Sequence, residues 1–214
     1  MITREVVLQA LSDCIFEDLC DKNYYENIIK RMNTDILPRS YNSGATKLVL
    51  TPMNADFVIK IPFRGEIWRD SGYVNFENAD EPDGWDYCKV ETLQYKKAEE
   101  AGLEQFFAKT ELIGYVNDYP IYIQQKAEIF EDLRDPDYDY EEDDLNATRD
   151  TCNKLEIGCF NVGWLTDFLD FFSEGELQTL SKHLSNNRIG DLHGGNLGYI
   201  EGQPVIVDYS DYWE

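Results

Sequence analysis

Apolar side chains near the N-terminus recur at helical spacing: Val6, Val7, Ala10, Leu11, Cys14, Ile15 and Leu19, with Thr3 placed to cap the run. A second stretch, with Tyr25, Ile28, Ile29 and Met32 on one face, predicts another helix that Pro38 ends. From Ser40 the period shortens to that of strands. "TKLVLTP" and "FVIKIPF" flank "MNAD" and predict an antiparallel hairpin. Residues 64–86 are rich in Gly, Asp and Asn and predict an irregular or hairpin-like insertion. "DYCKVETLQYKKAEEAG" predicts a helix closed by Gly102. "KTELIGYV" and "YPIYIQQKA" then predict two strands joined through "NDYP".

The charge run "EDLRDPDYDYEEDD" at 131–144 predicts a solvated loop or linker. Beyond it, helices are expected around "GWLTDFLDFF" and "EGELQTLSKHLSNN", the second capped by Ser173 or Glu174, before a short terminal hairpin turning at "EGQP". A helical extension (1–37), a β-rich region with one helix (38–130) and an acidic linker with a mainly helical region (131–214) make an α+β, two-lobed design.

Charge narrows the partners. The chain carries 42 acidic and 19 basic residues, a formal net charge of −23. Such a surface repels nucleic-acid phosphates and acidic membranes and favours cationic ligands or basic protein patches, with simple solubility as the plainer reading. Five cysteines form no C-x-x-C pair, and with two histidines in the chain a zinc site has little support. "MITREVVLQALSDC" has no signal-peptide core, no apolar run nears the roughly 18 residues of a membrane helix, and a reducing cytoplasm is the expected setting.

The chemistry concentrates in "IGDLHGGNLGYIEGQPVIVDYS", from Ile189 to Ser210. Asp191 and Asn196 lie five apart in a loop that follows a helix, and Asp208 follows a strand, turn and strand. That layout can gather Asn196 and Asp208 as oxygen ligands for Mg²⁺, which takes few protein groups and keeps waters or phosphates. Asp191 is then left to accept a proton from a hydroxyl nucleophile. The spacing is that of a kinase catalytic loop, D-x-x-x-x-N, followed by a metal-binding Asp.

On these residues the chain resembles the protein-kinase-like superfamily, and "GDLHGGN" is similar to the loop of aminoglycoside and choline phosphotransferases. The resemblance implies a small antiparallel-sheet N-lobe, a reduced, mainly helical C-lobe, and ATP and Mg²⁺ as cofactors. It implies that Lys60 in "FVIKIPF" clamps the nucleotide phosphates and that Glu91 on the next helix pairs with it. A lysine in an apolar strand is costly without such a carboxylate. Gly44 in "SYNSGATK" falls in the phosphate-covering loop, Gln124 at the gatekeeper, and the Gln125 carbonyl and Ala127 amide where adenine is held. Ile189 and Gly190 depart from the family's His-Arg pair, and "DYS" departs from D-F-G. The N-terminal helices and the 64–86 insertion have no counterpart. The sequence ends six residues after Asp208, without the helical substrate platform, so the acceptor is expected on the short helical lobe, a partner or a second copy.

Two functions follow as expectations. One is an ATP/Mg-dependent phosphotransferase with an unidentified acceptor, towards which the acidic run could draw a cationic group. The alternative is a non-catalytic, kinase-like binding module, of a kind a phage or plasmid could carry, that blocks a basic or nucleic-acid-binding partner.

Overall fold

The computed structural model describes residues 2–14, 40–43, 46–63, 66–68, 73–75, 86–130, 142–158 and 162–210. The second predicted helix, Gly44 and most of the acidic run lie outside the described residues. The chain is α+β and divides into two compact units: 1–92 with 109–126, and 93–108 with 127–214.

Unit 1 is built on a five-stranded sheet of order β1-β2-β3-β7-β6, from Ser40–Ser43 (β1), Lys47–Thr51 (β2), Phe57–Pro62 (β3), Thr110–Val116 (β6) and Tyr119–Gln125 (β7). All its pairings are antiparallel. The expected hairpins form: Leu48 opposes Ile61 in one, and Leu112 opposes Tyr122 in the other. Asn117 and Asp118 turn the second with φ of 51° and 65°, the left-handed pair a tight hairpin turn uses and that Asn and Asp tolerate. Within the 64–86 insertion, expected to be irregular or hairpin-like, Glu66–Trp68 (β4) pairs antiparallel with Tyr73–Asn75 (β5).

Strand alternation gives this sheet two unlike faces. Leu48, Leu50, Ile59, Ile61 and Ile121 lie fully buried on one, against Val7, Ala10, Leu11 and Cys14 from Arg4–Ala10 (α1) and the turn after it. Thr3 caps α1, its hydroxyl accepting from the Val6 N–H at 3.4 Å. Lys60 opposes Tyr122, and Thr110 opposes Gln124, so the other face is polar. Against it lie the first turns of Tyr87–Ala101 (α2), the helix that passes from unit 1 into unit 2 between Thr92 and Leu93. Asp86 begins α2 by accepting the Lys89 N–H at 2.9 Å, and Gly102 ends it with φ of 67°.

Among the described residues, unit 2 holds the rest of α2, a 3₁₀ turn at Glu104–Phe106, and the helices Glu142–Leu155 (α3), Val162–Leu169 (α4) and Glu174–Asn186 (α5). Its sheet has order β10-β9-β8, from Glu128–Ile129 (β8), Leu197–Ile200 (β9) and Gln203–Ile206 (β10). Phe106, Phe130, Leu165, Phe168, Leu177, Leu180, Leu184 and Tyr209 fill one core. Ser173, rather than Glu174, caps α5 through a reciprocal box with Glu176. The sequence pattern missed α3, which starts inside the acidic run at Glu142. Among its described side chains the buried ones are Thr148, Cys152 and Leu155, four and then three apart, and two of these are weak hydrophobic signals.

Candidate functional site

The polar face of the unit 1 sheet carries a buried ionic cluster. Glu91 sits on the inward stripe of α2, with Cys88 one turn before it and Ala98 two turns after, and its side chain is 0% exposed. Lys60 Nζ donates to Glu91 Oε2 at 2.8 Å and Oε1 at 3.0 Å. The expected pairing of Lys60 with Glu91 is therefore made. Lys47 Nζ donates to the same Oε1 at 2.6 Å, and the Thr110 hydroxyl donates to Oε2 at 3.0 Å. Buried Gln124 extends the chain, its amide donating to the Thr110 hydroxyl at 2.8 Å.

Two buried groups on this side of the sheet are shifted. Burial, and secondarily the Glu91 charge, hold the Cys88 thiol well above its usual range, so it stays neutral and unreactive. Burial also raises Asp86, although the Tyr122 hydroxyl donates to its Oδ2 at 2.6 Å and opposes that shift.

Unit 2 gathers the C-terminal motif. Asn196 donates through Nδ2 to the Asp191 carbonyl at 2.7 Å and more weakly to Asp191 Oδ2 at 3.4 Å. Its own carbonyl accepts the Val207 N–H at 2.9 Å and the Asp208 N–H at 3.4 Å. Asn196 is thus the link that brings Asp191 and Asp208 onto one loop cluster. Its side-chain oxygen accepts no hydrogen bond among the described residues, which leaves it as a candidate ligand. The Ser210 hydroxyl donates to Asp208 Oδ1 at 2.9 Å, and buried Tyr209 between them donates to the Ala108 carbonyl at 2.7 Å. His193 Nδ1 accepts the Gly195 N–H at 3.1 Å, which turns Nε2 to within 3.9 Å of Asp191 Oδ2. Asp191 is half exposed.

Gln125 and Ala127 fall in different units. Gln125 is tied to Lys109 twice: its N–H donates to the Lys109 carbonyl, and its side-chain oxygen accepts the Lys109 N–H. Ala127 packs under the unit 2 sheet, where a Cβ added to Gly198 would stand 3.0 Å from the Ala127 methyl. Among the described residues no three His, Cys, Asp or Glu side chains cluster as a metal site, and no helix is long and apolar enough to cross a membrane.

Sequence reasoning reached Lys60, Glu91 and the loop carboxylates but missed Lys47, Thr110 and Ser210. Lys47 was detectable. It stands two residues before Val49, which opposes Lys60, so both lysines point to one face. Compared with known proteins, the chain matches no family model, and its sequence matches no curated protein.

Proposed function

We propose that the protein is a kinase-like, ATP- and Mg²⁺-dependent phosphotransferase. The observation that carries this reading is the Lys60–Glu91 ion pair, at 2.8 Å with 5% and 0% of the side chains exposed. A strand lysine held by a carboxylate on the next helix is the arrangement phosphoryl-transfer enzymes of this class use to hold nucleotide phosphates. Lys60 supplies that positive charge in unit 1, where Glu91 keeps its ammonium on the polar face of the sheet.

In unit 2, the residues fit a hard, oxygen-seeking cation. Asn196 offers a side-chain oxygen and Asp208 a carboxylate, a small set of the kind Mg²⁺ accepts when phosphates complete its shell. Bound there, the ion would neutralise phosphate charge. Ser210 fixes Oδ1 of Asp208. Asn196 likewise fixes the Asp191 backbone, leaving the Asp191 carboxylate to accept or orient the acceptor's hydroxyl proton.

The test is Asp191→Asn. It keeps size but removes charge and basicity, and should lower phosphoryl transfer, or ATP hydrolysis without an acceptor, by roughly 10²-fold or more. MgATP affinity, measured by calorimetry on the same preparation, should hold, because Asn196, Asp208 and Lys60 are untouched. Equal turnover in the variant removes the catalytic role of Asp191. Binding without turnover in the wild type, whatever acceptor is offered, would instead favour a non-catalytic module.

A further inference from the structure

Lys47 is a buried cation that the proposed reaction does not use. Its side chain is 4% exposed, and its ammonium makes the shortest contact to Glu91, at 2.6 Å. Glu91 accepts from three side chains: Lys47 and Lys60 on Oε1, and Lys60 and Thr110 on Oε2. Those four contacts fill the acceptor positions of a carboxylate. The two lysines do not hold it alike, since Lys60 straddles both oxygens and Lys47 takes one.

This asymmetry matters once a phosphate arrives. A lone lysine would have to serve a fully buried carboxylate and an incoming phosphate with the same ammonium, and turning away would strand the carboxylate. With Lys47 fixed on Oε1 and Thr110 on Oε2, Glu91 stays held while Lys60 turns. Asp86, a second carboxylate on this face among the described residues, is occupied by the Tyr122 hydroxyl and the Lys89 N–H.

We infer that Lys47 is the resident counter-ion of Glu91, a positioning residue that frees Lys60 to bind the anionic phosphates of a nucleotide. The inference rests on the phosphotransferase reading. It deepens that reading by dividing one charge role between two lysines.

Two double variants test it, each with one lysine and no carboxylate at position 91: Lys47→Met with Glu91→Gln, and Lys60→Met with Glu91→Gln. They carry equal charge and strand no acid, so they should fold alike, which thermal unfolding checks. Calorimetry then compares MgATP with adenosine, which has no phosphates. The variant that keeps Lys60 should bind MgATP at least about 10-fold more tightly than the one that keeps Lys47, as expected for one charge-assisted contact. Adenosine affinity should be the same in both. The single variant Lys47→Met should bind MgATP more weakly than its double with Glu91→Gln, because Lys60 is then drawn back to the carboxylate.

Equal MgATP affinity in the two doubles, or the reverse order, overturns the division of roles while the nucleotide site stands. If wild type binds no MgATP, the phosphotransferase reading fails and this inference goes with it. If Lys47→Met does not fold, the comparison of the doubles decides alone.

Discussion

His183 shows how a single side chain couples unit 2 to pH. Its Nε2 and the Gln94 side-chain oxygen are the two buried polar side-chain atoms without a hydrogen-bond partner among the described residues. Both residues are anchored at Asn187. Gln94 donates to the Asn187 carbonyl at 3.3 Å, and the Asn187 amide donates to the His183 carbonyl at 2.9 Å. The imidazole meets the Phe107 ring edge to face. Burial, and then the positive charge of Lys97, hold its pKa below the ordinary 6.5. The unfolded chain therefore binds a proton that the folded chain refuses, in the window between the lowered value and 6.5. Stability from this residue is complete above that window and is lost as pH falls through it. Asp86 works in the opposite sense: its raised pKa stabilises below the ordinary 3.8, and that contribution fades as pH rises through the folded value. Urea midpoints taken from pH 7 down to about 5 should fall for wild type and flatten for His183→Gln. An unchanged slope in the variant would mean that another group sets the dependence.

At the scale of elements, caps and turns carry much of the specification. Ser173 accepts the Glu176 N–H through its hydroxyl, while the Glu176 carboxylate accepts the Ser173 N–H at 2.9 Å. Ser173→Ala should cost about 1 kcal/mol of unit 2 stability, read as a lowered denaturation midpoint with an unchanged slope. The same chemistry made the element order readable. Period-2 runs and the Asn-Asp turn identified the strands of both hairpins, and Gly102 marked the end of α2. The helix at 142–155 was not readable, because acidic residues open it and Thr148 and Cys152 stand where a clearer apolar stripe would need Leu or Ile. The signal for Glu91 on its helix is the stripe of Tyr87, Cys88, Glu91, Gln94 and Ala98 that faces inward, whereas neighbouring Leu93 is 49% exposed. Lys47 was legible from alternation alone, since its strand sets it on the face opposite Leu48 and Leu50. Asn196 as organiser of its loop could not be read at all, since its partner on Asp191 is a backbone carbonyl.

For the whole molecule, a net charge of −23 acts against compactness. Among the described residues, cation–carboxylate pairs include Arg4 with Glu111 and Lys154 with Glu174, both largely exposed and each worth little. Like-charge repulsion across the surface should therefore dominate the long-range electrostatics. Raising NaCl from about 0.02 M to 0.15 M shortens the screening length to about 8 Å and should raise the melting temperature. A melting temperature that falls or stays level would show that attractive pairs, rather than net charge, set the balance.

The division of the chain has a consequence for its birth on the ribosome. The chain enters unit 2 at Leu93, returns to unit 1 at Lys109 and enters unit 2 again at Ala127. Residues up to Lys126 can complete unit 1 as soon as they clear the exit tunnel. Ala98, Leu103, Phe106 and Phe107, already synthesised by then, belong to a core whose other members run from Phe130 to Tyr209. At ordinary elongation rates they stay uncovered for on the order of ten seconds while the remainder is translated. A half-made chain is thus folded in one part and adhesive in another, which makes residues 93–108 a natural target for a nascent-chain chaperone.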